Sequence, residues 1–158
     1  MMRIGNGWDR HALTEDRKLI LGGVEIPHEK GLLGHSDADV LIHSVIDALL
    51  GAAALGDIGG HFPETTDNKN IDSMLLLAKT VELLQNAGYD IINIDSIIMA
   101  ERPQLGPYIP EMRANLSHIL GIDIGQISVK AKTGEGLGEI GQCLSMEAYT
   151  IALIQKRA

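Results

Sequence analysis

The stretch "SDADVLIHSVIDALLGAAAL", residues 36–55, decides the fold of this chain more than any other. Ser36 and Asp39 have the spacing of a capping box, which predicts that a helix begins here. Apolar residues cover most of the circumference of that helix, and a helix that is apolar on nearly every side is buried. The sequence therefore predicts a largely buried helix over residues 36–55.

Strand and helix patterns alternate on either side of this helix. The opening segment and "RKLILGGVEIP", residues 17–27, indicate short strands broken at Gly22-Gly23 and Pro27. Residues 56–70, "GDIGGHFPETTDNKN", are glycine-rich and polar with almost nothing to anchor them in a core, so a mobile loop is predicted. The later segments predict a helix from Asp72 or Ser73 to Gly88, a strand over 91–100, a helix over 110–120, a strand over 126–133 and a final helix over 144–156.

This order of elements predicts the fold class. Strands interleaved with helices indicate a two-layer α+β domain, in which helices cover one face of a mixed β-sheet. A chain of 158 residues is expected to form a single domain over 1–158. The uncovered sheet face needs a partner, and a symmetric oligomer is the simplest one.

Composition and charge exclude several classes of protein. Thirteen basic and 21 acidic residues give a net charge of −8, which argues against nucleic-acid binding, because that requires Lys and Arg to replace phosphate counterions. The single cysteine, Cys143, excludes an internal disulfide framework and fits a reducing compartment. No stretch reaches the roughly 18 apolar residues of a membrane span, and residues 1–10 lack the apolar centre of a signal peptide. We therefore expect a cytoplasmic protein without a membrane partner, although a trimmed organellar precursor would look the same.

The segment "GWDRH" contains an Asp-x-His pair that is a candidate for metal binding. If this segment is a strand, Asp9 and His11 project to the same side while Arg10 faces away. The pair alone is a weak signal, because an acid commonly orients a histidine through a hydrogen bond without any metal.

His43, in the predicted buried helix, is the candidate third ligand. It belongs to a polar stripe at helical spacing that also contains Ser36, Asp39 and Asp47. A buried histidine needs a partner. In one interpretation Asp39 or Asp47 supplies it and Ser36 only caps the helix. In the other, His43 joins Asp9 and His11 on a zinc ion whose open fourth position is typical of catalytic zinc.

Beyond these residues, most of the chain resembles a known family. "RIGNGWDRHAL", "ILGGVEIPHEKGLLGHSDADVLIHSVIDALLGAAALGDIG", "FPET", "PYIPEMR" and "ISVKAKTGEGLG" are similar to the 2-C-methyl-D-erythritol 2,4-cyclodiphosphate synthase family of the non-mevalonate isoprenoid pathway. The resemblance implies a phosphorus-oxygen lyase that converts 4-diphosphocytidyl-2-C-methyl-D-erythritol 2-phosphate to the cyclic 2,4-diphosphate and releases CMP. It also implies a homotrimer with its sheets packed inward and active sites at the subunit interfaces.

The resemblance assigns roles to individual residues. Asp9, His11 and His43 match zinc ligands, and Glu135 matches the ligand of a second divalent ion, usually Mg²⁺ or Mn²⁺. The implied substrate-binding residues are His35 and Ser36 at the methylerythritol phosphate, Asp57 and Gly59 at the ribose, Glu64 at the erythritol, and Ala100, Pro103 and Leu105 around the cytosine. Thr133 matches a phosphate-binding residue that, like Glu135, comes from the neighbouring subunit.

The sequence departs from the family pattern at several positions. Glu64 stands where the family usually has an aspartate, and Lys132 and Gly134 replace threonines. Lys132 can supply a positive charge for the phosphates only if it faces the site. Gln142 stands near the position where the family has an arginine. In the family that arginine lines a cavity on the trimer axis associated with isoprenoid diphosphates, so its absence weakens the case for such binding here.

The implied reaction joins two anionic groups, so it needs cations more than a protein nucleophile. The 2-phosphate of the substrate attacks the β-phosphate, and catalysis consists of positioning and charge neutralisation by the two metal sites and Thr133. Two alternatives remain. A zinc-dependent phosphoester hydrolase would use metal-bound hydroxide and yield linear products. A non-catalytic trimer with a structural metal would need no nucleotide cavity.

Overall fold

A five-stranded mixed sheet forms one layer of the computed structural model, which describes residues 1–158. The strands of the structure are, in chain order, β1 (Met2–Thr14), β2 (Leu19–Leu21), β3 (Val24–Ile26), β4 (Gly31–Leu32), β5 (Tyr89–Met99), β6 (Ile127–Lys132) and β7 (Ser145–Lys156). The order across the sheet is β4-β1-β7-β5-β6, and β2 pairs with β3 in a separate hairpin. Only β5 and β6 run parallel, whereas the other neighbours are antiparallel.

Helices form the second layer, on one face of the sheet. They are α1 (Val40–Ala53), α2 (Ile58–His61), α3 (Ser73–Asn86), α4 (Ile109–Leu120) and α5 (Gly138–Gly141). Helix α1 packs on β1 and β7, α3 on α1 and β5, and α4 on β6. The predicted α+β class, with one mixed sheet and helices on one face, is confirmed. None of these helices has both the length and the apolar character needed to cross a membrane.

Helix α1 is the buried centre of the core, as predicted, but it begins later than predicted. Its side chains are almost all buried from Val40 onward. The N-cap is Asp39, whose carboxylate accepts a hydrogen bond from the Ile42 amide at 3.1 Å. Ser36 lies three residues before the cap, so the capping box with Ser36 as N-cap is wrong.

Strand β7 corrects the largest error of the sequence-based prediction, which made residues 144–156 a helix. Met146, Ala148, Thr150, Ala152 and Ile154 are buried at every second position, which is the period of a strand. The strand lies between β1 and β5 and hydrogen-bonds to both. Its Met, Ala and Leu residues favour a helix locally, and pairing on both edges overrides that preference.

Most of the remaining predictions agree with the structure. The ends of α3, β5, α4 and β6 lie within two residues of the predicted limits. The opening segment is a single strand of 13 residues, not several short strands. The segment 56–70 contains α2 and a 3-10 turn at Thr66–Asn68. Ile58 and Phe62 pack against the core, so the expectation that almost nothing anchors this segment in a core is wrong.

The second face of the sheet has no helix over it and carries large apolar side chains. Ile4 and Trp8 on β1 are 69% and 47% exposed, and Tyr149 and Ile151 on β7 are 43% and 51% exposed. Trp8 lies opposite Tyr149 in the β1–β7 register, so these side chains share one face. The uncovered face thus carries an exposed apolar patch.

Candidate active site

Three side chains from two elements converge where β1 meets α1. Asp9 and His11 are alternate residues of β1 and point toward the helical layer, as the strand pattern predicted. His43 approaches them from the first turns of α1. Asp9 Oδ2 lies 2.8 Å from His11 Nε2 and 3.0 Å from His43 Nδ1, and the two ring nitrogens are 3.3 Å apart.

Two glycines of β1 allow this convergence. A Cβ atom on Gly5 would lie 2.1 Å from the Ala48 carbonyl oxygen, and one on Gly7 would lie 1.9 Å from the Ser44 carbonyl oxygen. Only glycine at these positions lets the backbone of α1 rest against the strand. The close approach of α1 brings His43 within reach of the two strand ligands.

The donor set fits a metal ion. One carboxylate oxygen and two imidazole nitrogens lie within 4.8 Å of one another, and this set of N and O ligands suits zinc with an open fourth position. His11 Nδ1 donates to the Leu33 carbonyl at 2.9 Å, which leaves Nε2 unprotonated toward the cluster when the ring is neutral.

The ionisation of the cluster also favours a cation. Burial opposes the charged form of Asp9, but the hydrogen bonds that His11 and His43 donate to Asp9 when their rings are protonated outweigh burial and lower the pKa of Asp9 to about 2. Burial likewise opposes protonation of His11, and the hydrogen bond and charge of Asp9 overcome it and raise the pKa of His11. The site therefore keeps a carboxylate anion that attracts positive charge.

A small cavity of about 110 Å³ opens beside His43. Four of the predicted substrate-binding residues line it together with His43: His35, Ser36, Gly59 and Glu64. Its apolar wall includes Ile58 and Phe62. Asp57 does not line this cavity; its carboxylate caps α2 by accepting from the Gly60 amide at 2.9 Å.

A second cavity, of about 400 Å³, lies between the end of β5 and the end of β6. The predicted cytosine residues Ala100, Pro103 and Leu105 line it, together with Lys132 and Thr133. Lys132 lies at this cavity, next to Thr133. Glu135 lies just beyond, within the 133–136 loop. No residue lines both cavities, so the two cavities are separate within one subunit.

Comparison with known proteins supplies the family. The model of the YgbB family matches residues 2–155. The chain belongs to the YgbB family.

Curated relatives of this YgbB chain are similar over nearly its whole length. A protein of Syntrophomonas wolfei is 54% identical over 98% of this chain and 99% of its own length, and one of Clostridioides difficile is 57% identical over 97% and 96%. Both are named 2-C-methyl-D-erythritol 2,4-cyclodiphosphate synthase, so the resemblance drawn from the motifs is confirmed and the family is one of enzymes.

Solved structures agree with the fold of the YgbB chain. The CDP complex of IspF from Plasmodium falciparum superposes with a TM-score of 0.88 at 36% identity, covering 99% of this chain and 97% of that one. The bifunctional IspDF of Campylobacter jejuni gives a TM-score of 0.95 at 42% identity, covering 99% of this chain and 42% of that longer one.

The structure of this YgbB member also resolves the alternatives for His43. Neither Asp39 nor Asp47 hydrogen-bonds to the ring: Asp39 accepts from the Gly22 and Gly23 amides, and Asp47 accepts from the Ile58 amide. The interpretation in which one of them satisfies His43 is wrong. His43 Nε2 instead lies 2.8 Å from Ser73 Oγ and 3.2 Å from Ser36 Oγ.

Two further carboxylates near the predicted site of the YgbB chain escaped the sequence analysis. Asp37 accepts a hydrogen bond from the Ser73 hydroxyl, and Glu101 accepts from the amides of Gly134 and Gly136 at 2.9 and 3.3 Å. Glu101 thereby holds the loop that carries Thr133 and Glu135. Each carboxylate is more than 30 positions from its partner, so no local spacing could have revealed either contact.

Proposed function

We propose that this chain converts 4-diphosphocytidyl-2-C-methyl-D-erythritol 2-phosphate to 2-C-methyl-D-erythritol 2,4-cyclodiphosphate and releases CMP. The observation that carries the proposal is the convergence of Asp9, His11 and His43 beside a cavity lined by His35 and Ser36. The synthase names of relatives more than 50% identical over nearly the full length support it.

The cavity beside His43 suits the methylerythritol end of the substrate. Ser36 offers a hydroxyl and Glu64 a carboxylate to its phosphate and hydroxyl groups, while Ile58 and Phe62 provide an apolar wall. The ring of His35 is held in place because Nε2 donates to the Thr65 carbonyl at 2.6 Å. Asp57 and Gly59, at the start of α2, would bind the ribose.

The second cavity suits the cytidine and its diphosphate. Ala100, Pro103 and Leu105 form a loop whose backbone groups can bind the cytosine edge, and Lys132 and Thr133 offer a positive charge and a hydroxyl to the phosphates. The P. falciparum structure, a complex with CDP, supports a substrate with this chemistry.

Two metal sites would supply positive charge that the reaction needs. Asp9, His11 and His43 would hold zinc, and Glu135 would contribute to a site for Mg²⁺ or Mn²⁺. Bound cations there would neutralise phosphate oxygens and stabilise charge on the group under attack. The phosphate monoester carries roughly −1.5 to −2 charges, and two unit charges 4 Å apart repel by about 4 kcal/mol at an effective dielectric of 20.

The residues of the chain position the reacting groups without forming a covalent bond to them. An oxygen of the 2-phosphate bonds to the β-phosphorus, and the bond from that phosphorus to the bridging oxygen breaks, so CMP leaves with that oxygen. Ser36 and His35 would orient the attacking phosphate, and Thr133 and Lys132 the phosphates of the departing nucleotide. Catalysis then consists of alignment and electrostatic stabilisation.

We also propose that the enzyme is a homotrimer with its uncovered sheet faces packed inward. The exposed apolar side chains Ile4, Trp8, Tyr149 and Ile151 support an interface on that face. The separation of the two cavities supports active sites shared between subunits. Because the loop with Ala100 lies beside Thr133, both would come from the same neighbouring subunit. Residues 1–158 would act as one domain, since one apolar core joins all three long helices to the sheet.

The reaction is tested by incubating the purified protein with the cytidyl substrate, zinc and magnesium while phosphorus NMR follows the products. The cyclic diphosphate and CMP are expected. Linear phosphates would instead indicate a hydrolase, and no turnover by folded, zinc-loaded protein would overturn the proposal.

The shared site is tested by mixing subunits. His43→Ala and Thr133→Ala variants are each expected to be inactive, and trimers assembled from both should regain activity, because some interfaces combine the intact half of each. If one subunit held the whole site, no mixture would regain activity.

A further inference from the structure

The side of the His43 ring that faces away from Asp9 and His11 contacts two serine hydroxyls. Ser73, the first residue of α3, places its Oγ 2.8 Å from Nε2, and Ser36 places its Oγ 3.2 Å away. Ser73 is completely buried. The ring is therefore held between the cluster on its Nδ1 side and these hydroxyls on its Nε2 side.

The hydrogen bonds around the His43 ring determine which of its nitrogens carries the proton. The Ser73 hydroxyl donates to Oδ1 of Asp37, and a carboxylate can only accept. Ser73 has no second proton, so toward His43 its oxygen can only accept. The proton of the neutral ring therefore lies on Nε2, and Nδ1 presents a lone pair toward Asp9.

That lone pair makes the close approach of the cluster atoms depend on a positive charge between them. His43 Nδ1 lies 3.0 Å from Asp9 Oδ2 and 3.3 Å from His11 Nε2, which the Leu33 carbonyl also leaves unprotonated. Three acceptor atoms this close repel one another unless a cation or a proton lies between them. The arrangement is that of ligands set for a metal.

The position of Asp37 is itself fixed by two helix starts. Oδ1 accepts from the amide of Asp39, the N-cap of α1, at 3.1 Å, and Oδ2 accepts from the amide of Ser73 at 3.0 Å. Asp37 thus ties the beginning of α1 to the beginning of α3. The hydroxyl of Ser73 has one orientation as a consequence.

We propose that Ser73 and Asp37 are positioning residues of the metal centre, which hold His43 as the Nε2–H tautomer with Nδ1 free to bind the metal. The proposal rests on the proposed function in that a metal binds Asp9, His11 and His43. Without Ser73, the Asp9 carboxylate would draw the proton onto Nδ1, and the metal would have to displace it.

Ser36 does not replace Ser73 in this role. Its oxygen accepts from the Ala38 amide at 3.1 Å, and no carboxylate fixes its hydroxyl. Because Ser73 takes the shorter bond from Nε2, the hydroxyl proton of Ser36 stays available for a ligand in the adjoining cavity. The two serines thus have different tasks at one ring.

The tautomer is tested directly by nitrogen NMR of the histidine rings in metal-free protein, at a pH above the titration of histidine. His43 should appear as the Nε2–H form in the wild type and in Ser73→Thr, which keeps the hydroxyl. Ser73→Ala should shift it to the Nδ1–H form. Ser96→Ala is the matched control, because Ser96 is equally buried but bonds only to Thr150.

Zinc affinity provides the second readout, by competition with a chelating dye. Ser73→Ala should bind zinc about 10- to 100-fold more weakly, the usual cost of losing a hydrogen bond that orients a ligand. Ser73→Thr should recover most of this loss, and Ser96→Ala should match the wild type.

The two readouts separate the two proposals. If Ser73→Ala keeps the Nε2–H tautomer, or keeps wild-type zinc affinity, the positioning role is overturned. If the wild type binds no zinc while the tautomer shifts as expected, the proposed metal centre is overturned. The proposal that Ser73 controls the tautomer of His43 then stands.

Discussion

Gly7 on β1 lies directly against Ser44 on α1, so close that a Cβ atom on Gly7 would sit 1.9 Å from the Ser44 carbonyl oxygen. His43 immediately precedes Ser44, and Asp9 follows Gly7 by two residues on the same face of the strand. The distance between helix and strand therefore sets the distance between the candidate metal ligands. The packing of the core and the geometry of the site both depend on the contact between Gly7 and Ser44.

Gly7→Ala should accordingly harm both stability and metal binding. The added methyl group meets backbone that cannot give way, so overpacking should cost about 1–3 kcal/mol or more of unfolding free energy. Displacement of α1 should also weaken zinc binding. Chemical denaturation and zinc titration measure the two effects.

Gly51→Ala is the matched control for this prediction. Gly51 lies in α1, and its nearest neighbour to an added Cβ is the Asn6 carbonyl oxygen at 3.8 Å. Alanine in a helix should raise stability by about 0.5–1 kcal/mol without altering zinc binding. Equal losses in both variants would mean that the contact of Gly7 with α1 has no special role.

His43→Ala should remove zinc while the fold is kept. The variant loses the only cluster ligand that α1 supplies, and Asp9 and His11 alone hold a metal weakly. Zinc content by mass spectrometry should fall to background, with an unchanged circular dichroism spectrum. His118→Ala, on the exposed side of α4, is the control and should keep its zinc. Unfolding of the His43 variant would instead favour a structural metal.

Asp39 should make stability depend on pH. Burial, aided by the charge of Asp37, raises the pKa of Asp39 to about 6 from 3.8, against the hydrogen bonds from the Gly23, Gly22 and Ile42 amides. The folded state then binds the proton more tightly than the unfolded state. The proton on Asp39 therefore adds to the free energy of unfolding. This contribution, roughly 3 kcal/mol in total, is complete below about pH 4 and is lost as the pH rises through 6.

Denaturant unfolding of metal-free protein between pH 4 and 7 measures this effect. Asp39→Asn cannot titrate, so the stability of the wild type relative to this variant should fall as the pH rises. Asp39→Asn also places a side-chain amide opposite the Gly23 amide. The free-energy cost of that change is the same at every pH, so it does not alter how the difference between the two proteins depends on pH. A difference that stays flat, or that rises with pH, would contradict the inferred pKa.

What the sequence could predict, and what it could not, follows from the range of the interactions. The ligand pair Asp9 and His11 is a local pattern of period two, and α1 is a local run of apolar residues, so both could be recognised. Strand β7 could not, because its helix-favouring residues are overruled by pairing with β1 and β5. The bond between Asp37 and Ser73 joins residues 36 positions apart, for which no spacing gives a signal.

Lys132→Gln should weaken binding of the diphosphate. Lys132 lines the larger cavity next to Thr133, and a hydrogen bond to a charged group is worth about 1.5–3 kcal/mol, which corresponds to a loss of roughly tenfold or more in kcat/KM. Steady-state kinetics with the cytidyl substrate measure it. Lys79→Gln on α3 removes the same charge away from both cavities and should be neutral. Equal losses would point to the net charge of the protein instead of to the cavity.

Ile151→Asp should break the proposed trimer without emptying the proposed metal centre. Ile151 is 51% exposed in the isolated subunit, in the apolar patch of the uncovered sheet face, and burying a carboxylate at an interface there is costly. Sedimentation should find monomers that bind zinc normally but do not turn over, because the second cavity of the neighbour is gone. Leu75→Asp, at a site 56% exposed on α3, should remain trimeric and active. An active trimer of the Ile151 variant would rule out the sheet face as the interface.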